Sequence, residues 1–190
     1  MIPGERLSSV PVPSRFIGGR AYSVTRHTDH ESGGVALQDT SQGLESHIWR
    51  LRLMGRDVVI DRDDVAPAVL FSDDGITEVS LAFDQNMRPV VAFVQNGQAR
   101  LWWYDSAVNQ QVFTTLPAGI TTPRVTLDDK TPGGIPTSDV LLFYIRAGAL
   151  YYRQQRDRYD IERLLEAGPV KPLVKVGMGA GRRVQLQVRA

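Results

Sequence analysis

The amino-acid sequence predicts an all-β protein: antiparallel, four-stranded meanders arranged like propeller blades, or as an open sheet or sandwich, behind an extended N-terminal arm. Three observations predict it. A strand, glycine turn and second strand recur at 49–61, 90–105 and 140–154, with Gly55, Gly97 and Gly148 lying 42 and 51 residues apart. Repeats at such a spacing mark arrays in which no single unit buries its own apolar face. Apolar–polar alternation appears in Val79-Ser80-Leu81-Ala82-Phe83 and Val184-Gln185-Leu186-Gln187-Val188, the pattern of a half-buried strand. Turn residues punctuate the apolar runs, above all Asn96-Gly97, where both residues tolerate the positive φ of a type I′ hairpin.

Taken in order, residues 1–46 read as an extended, irregular arm. Pro3, Pro11 and Pro13 alternate with polar residues, and Gly18-Gly19 and Gly33-Gly34 break any period, leaving short extended pieces at 20–25 and 33–38. So long an irregular stretch suits an arm reaching onto a neighbour, with a free tail as the alternative. The β-repeat domain occupies 47–190. Its strands are expected at 47–54, 56–61, 66–71, 78–83, 88–95, 99–105, 110–116, 122–127, 139–146, 149–155 and 184–189. They group into a short unit at 47–71, meanders at 78–116 and 122–165, and the C-terminal strand at 184–189. Residues 158–167, ending before Gly168-Pro169, fit either a capped helix or the fourth strand of the second meander, and the repeat register favours the strand. About two and a half blades do not close a propeller, so either the sheet stays open or copies complete one another, which would cover a reactive edge.

Composition narrows the class. With 190 residues, 42% hydrophobic and 23% charged, the chain can bury a core without staples. It has no cysteine, which excludes disulfides and thiolate metal sites and fits a reducing cytoplasm. Met1-Ile2-Pro3-Gly4 leads into no long apolar run, and apolar stretches are of strand length, so neither a leader nor a membrane span is expected. Residues 1–95 hold nine basic and thirteen acidic side chains, against thirteen and eight in 96–190. Lysine occurs only at Lys130, Lys171 and Lys175. That reflects either interface chemistry, since arginine pairs bidentately and stacks, or the codon preference of a GC-rich genome.

Motifs with chemical content are weak. His27, Asp29, His30 and Glu31 supply metal-ligand types, but in a polar, glycine-flanked stretch without a framing scaffold. Asp57, Asp61, Asp63, Asp64, Asp73 and Asp74 are interleaved with Arg56 and Arg62 and read as salt-bridged turns rather than a calcium loop. The segment 72–78 looks like a degraded aspartate box, a turn element without catalytic content. Gly177, Gly179 and Gly181 precede an alternating strand, not the helix a phosphate loop requires. We therefore expect no enzyme, no metal and no cofactor. Trp102, Trp103, Tyr104, Tyr151 and Tyr152 remain. Adjacent strand residues face opposite ways, so some of these rings are exposed unless the sheet is covered on both faces. With Arg153, Arg156 and Arg158 they form the candidate interface or ligand-contact set. Near-neutral net charge argues against nucleic acid.

Four stretches carry a resemblance to a known family: 36–44; the hairpin 81–104, with Ala82-Phe83-Asp84-Gln85-Asn86 and 88–93; Leu127-Asp128-Asp129-Lys130; and 150–159. Together with 174–178, they resemble structural proteins from the tail of tailed bacteriophages over roughly 35–190, while the first 34 residues are unmatched. The resemblance implies a virion protein of the distal tail or fibre-attachment region, assembled in the bacterial host cytoplasm. It also implies other tail proteins and copies of itself as partners, and no active site. The alternative is a lectin-like module stacking Trp102 or Trp103 on host-surface glycans.

Overall fold

In a computed structural model, the described residues are 19–22, 27–28, 31–40, 43–63, 65–84, 88–128, 139–178 and 184–189. They form an all-β array of antiparallel sheets. The strands are β1 (Gly19–Tyr22), β2 (His27–Thr28), β3 (Glu31–Thr40), β4 (Gly43–Met54), β5 (Asp57–Arg62), β6 (Val65–Ser72), β7 (Ile76–Phe83) and β8 (Pro89–Gln95). They continue with β9 (Gln98–Asp105), β10 (Gln110–Thr115), β11 (Ile120–Asp128), β12 (Asp139–Arg146), β13 (Ala149–Gln154), β14 (Arg163–Glu166), β15 (Leu173–Met178) and β16 (Val184–Val188). Among the described residues the only helical piece is a 3₁₀ turn at Gln155–Asp157.

The two expected meanders are present as sheets in the orders β10-β9-β8-β7 and β11-β12-β13-β14. The first unit is larger than expected, a six-stranded sheet in the order β1-β3-β4-β5-β6 with β2 also on β3. This corrects the irregular reading of 1–46 where it is described. Gly33 and Gly34 pair with Arg50 and Trp49 inside a ladder that runs from Glu31–Arg52 to Thr40–Gly43. A long partner on β4 holds glycines that would weaken a lone strand. The other residues of the arm lie outside the described set. Residues 163–166 are a strand, not a helix. The hairpin β15–β16 adds a two-stranded fourth sheet, of which only the second strand was expected.

The hairpin turns follow their chemistry. Asn96 and Gly97 both adopt positive φ (50° and 78°), and Ala147 with Gly148 takes the same conformation (50° and 78°). Alanine there carries a Cβ clash that glycine lacks and that asparagine offsets by local side-chain hydrogen bonding.

Each junction between consecutive sheets has its own core. Leu51, Val58 and Ile60 of the first sheet meet Leu81, Val91, Phe93 and Trp102 of the second. On its other face the second sheet presents Ala82, Val90, Ala92, Leu101 and Trp103 to Val125, Leu127, Leu142 and Tyr144 of the third. The third turns Leu141, Phe143 and Ile145 to Leu173 and Val176 of the hairpin. The middle sheets are thus covered on both faces, which is why β8 and β12 are nearly continuous apolar runs rather than alternating ones.

Burial falls from the inner strands to the outermost ones, β10 and β14, which are largely exposed. The inner strands β7, β11 and β15 lie side by side, with β1 near β7 and β11, and β2 near β15. Their inward edges lack a full ladder, so backbone donors need other acceptors. Leu81 N–H donates to Ser32 Oγ at 2.9 Å, Val125 N–H to Ser80 Oγ at 3.1 Å, and Leu173 N–H to Thr122 Oγ1 at 3.2 Å. Side-chain hydroxyls on β3, β7 and β11 thus secure β7, β11 and β15 in turn. Among the described residues no helix is long and apolar enough to cross a membrane.

Candidate functional site

The aromatic pair on β9 is core. Trp102 is 9% exposed and Trp103 3%. Trp102 lies 5.5 Å from the Phe71 ring. Trp103 meets Tyr159 edge-on at 5.1 Å, and its Nε1–H donates to Thr114 Oγ1 at 2.9 Å. Opposite faces are both apolar here because sheets flank the second meander on each side. Of the two readings the sequence left open for this pair, exposed or covered, the structure has the covered one, and at such burial neither ring offers a face to a sugar.

Tyr104, Tyr151 and Tyr152 are half-buried, and each has a cation over its ring. Arg88 sits 3.6 Å from the Tyr104 centroid, Arg146 5.3 Å from Tyr151, and Arg163 5.8 Å from Tyr152. Tyr151 also stacks with Tyr144, and Tyr152 with Phe143, each at 6.0 Å. The Tyr104 hydroxyl donates to Asn109 Oδ1.

Nor are the three arginines a free basic surface. Arg153 is 8% exposed; its Nε–H donates to the Tyr144 hydroxyl at 2.9 Å and its Nη1 to the Tyr159 and Asp160 carbonyls at 2.5 and 3.0 Å. The Tyr144 hydroxyl in turn donates to Glu162, which also receives Arg146. Burial, reinforced by that bond to Glu162, pushes the Tyr144 phenol well up. Arg156 Nε–H donates to Asp139 Oδ2 at 2.7 Å, and its backbone N–H to Oδ1 at 3.0 Å. Arg158 Nε–H reaches Asp105 Oδ2 at 3.0 Å across the junction of the second and third sheets. The guanidiniums of Arg156 and Arg158 are half-exposed while their carboxylates are buried. Desolvation raises the Asp139 carboxyl, opposed by its bonds from Arg156.

Arg158–Asp105 and Trp103–Tyr159 therefore join the second and third sheets, whereas Arg153 and Arg156 bond within the third. Sequence reasoning found the cluster's members but not their partners, because Arg158 and Asp105 are 53 residues apart. It missed Arg124 altogether. Arg124 is 2% exposed in β11, and its Nη1 donates to Glu78 Oε2 at 2.9 Å and to the Pro123 carbonyl at 3.0 Å, its Nε to the Val174 carbonyl at 3.2 Å. One guanidinium thus ties three inner strands.

The acidic turns are ion-paired as expected: Asp61 with Arg52, Asp73 with Arg100 at 3.5 Å and Asp74 with Arg56 at 3.9 Å. Among the described residues no group of three or more His, Asp or Glu is placed to hold a metal. Asp29, His30, Asp64, Gly179 and Gly181 lie outside them.

Large apolar side chains are exposed at Ile48 and Met54 on β4, at Val108 and Ile161 in connections, and along the rim. The outermost strand of each sheet carries large exposed apolar side chains: Val65 and Val69 on β6, Phe113 on β10, Leu164 and Leu165 on β14, and Val188 on β16. No protein-family model, curated protein or solved structure matches the chain.

Proposed function

We propose that this chain is a structural, non-enzymatic component of a bacteriophage tail that works by subunit–subunit binding in the distal tail or fibre-attachment region. On this reading it assembles in the host cytoplasm, and its partners are other tail proteins and further copies of itself. One observation supports binding above all: exposed large apolar side chains sit on the outermost strand of every sheet. Edge strands bring unpaired backbone donors and acceptors together with that apolar surface, the combination strand addition uses. The aromatic and arginine residues first considered for ligand contact are occupied internally, so the outer rim carries the reading. The resemblance over 35–190 supplies the tail assignment.

Mass spectrometry of gradient-purified virions tests it. Peptides from this chain should appear in several copies per particle and stay with the tail when heads are removed. Particles that lack the chain would overturn the assignment.

A further inference from the structure

Four outer edges are open to pairing, and three carry obstacles. On β6, Pro67 interrupts the donors, and two register shifts distort the pairing with β5. The strand β14 has four residues, includes Arg163 and Glu166, and meets β13 through a register shift. β16 is flanked in the sequence by Arg182, Arg183 and Arg189, which antiparallel pairing with its own copy would set against one another. Proline, charge and bulges are the usual means of blocking an edge. The strand β10, Gln110-Gln111-Val112-Phe113-Thr114-Thr115, has none of them: no charge, no proline, no glycine and an unbroken register with β9.

The direction of its free backbone follows from the ladder. Leu116 N–H donates to the Ala99 carbonyl at 3.0 Å, just beyond the Thr115–Arg100 pair. Bonding pairs alternate along an antiparallel ladder. Gln110, Val112 and Thr114 therefore face β9, whereas Gln111, Phe113 and Thr115 turn both N–H and C=O to the open edge. Phe113 is 47% exposed, and Phe71 of β6 flanks its ring at 5.3 Å.

We propose that β10 pairs with β10 of a second copy about a two-fold axis through Phe113. Deepening the binding reading above, this assigns one edge and one partner. A two-fold axis normal to the sheet keeps each face on its own side, so residues of like parity meet. Phe113 then faces Phe113 of the second copy, Gln111 faces Thr115, and Val112 faces Thr114. The outward residues fall in hydrogen-bonded pairs, each exchanging both N–H···O bonds. Apolar and neutral polar side chains face one another without a like-charge contact, and the two meanders join into one sheet across the copies.

Light scattering and hydrogen exchange on the full chain test this. The mass should double, or reach a multiple of two chains, as concentration rises. The amides of Gln111, Phe113 and Thr115 should then become as protected as those of Val112 and Thr114, whereas in dilute solution only the latter are slow. Phe113→Lys and Phe113→Glu should each return the mass to one chain, and an equimolar mixture should restore association, because the two substituted positions face each other. Gln111→Pro, which removes an outward donor and leaves the β9 ladder intact, should also abolish it. The pairing is overturned by a single-chain mass at every concentration, by fast exchange at Gln111, Phe113 and Thr115 in the associated form, or by Phe113→Lys associating like wild type. A monomer that is nonetheless found in purified tails would remove this pairing and leave the tail assignment standing; a β10-paired dimer absent from virions would do the reverse.

Discussion

Replacing Ser80 by alanine tests how the sheets are held together. Ser80 is buried at 2% exposure, and its Oγ accepts the Val125 N–H at 3.1 Å. The loss of one oxygen removes little volume, so the cost arises from a buried backbone donor left without a partner, about 1–3 kcal/mol. With a urea slope of ~2 kcal/mol/M for a domain of this size, the unfolding midpoint should fall by about 0.5–1.5 M. Ser32→Ala, which removes the acceptor for Leu81 N–H at 2.9 Å, should cost a similar amount. The two sites share the Ser80–Leu81 peptide, so the double variant should depart from additivity by more than about 0.5 kcal/mol. Thr121→Ala is the control: its hydroxyl donates to the Ile145 carbonyl at 3.3 Å from a solvent-exposed residue, and a change within about 0.5 kcal/mol is expected. Tryptophan fluorescence reads the transition, with Trp49, Trp102 and Trp103 in the first two sheets. The reasoning fails if Ser80→Ala shifts the midpoint no more than the control does. Inner-strand donors would then be satisfied without the hydroxyls.

Three other outcomes are expected. Arg124→Ala strands Glu78 and the Val174 carbonyl; with Glu78 partly hydrated, the loss should be ~2–4 kcal/mol, and a midpoint within error of wild type would contradict it. Ala147→Asn places an αL-tolerant residue at an exposed φ of 50° and should raise stability by about 0.5–1 kcal/mol; thermal melts that show no gain would argue against strain at this turn. Burial raises the Asp139 carboxyl above its ordinary 3.8, so the folded state keeps that proton to higher pH than the unfolded chain. Stability from this group is fullest below the unfolded pKa and is lost as pH rises through the folded one. The stability of wild type relative to Asp139→Asn should therefore grow as pH falls through that interval. A difference that is flat or shrinks on acidification would show that the Arg156 bonds outweigh burial.

The hairpins at Gly97 and Gly148 could be read directly because local turn chemistry dictates them, and two meanders followed. β15 was not legible: Pro172, Lys175 and Gly177 disturb its alternation, and its apolar Leu173 and Val176 find their partners only on the third sheet. Gly33-Gly34 looked like a break, yet a long ladder on β4 holds both. The fate of Trp102 and Trp103 was undecided for a plain reason. Period two tells which neighbours face apart, but not which faces another sheet covers. The arginines were visible as a run, whereas the carboxylates that hold them come from strands far away in the sequence.

Among the described residues, apart from β1, which joins β3, every ladder connects strands that are successive in the chain. Such a map has low contact order within each sheet, so a meander can close through short loops before its neighbour exists. Only the docking of one sheet on the next needs distant segments to meet. As the chain leaves the ribosome, the sheets can therefore form one by one, and a substitution inside a hairpin should slow its own sheet first. That locality shortens the time a half-folded edge stays open to the wrong partner.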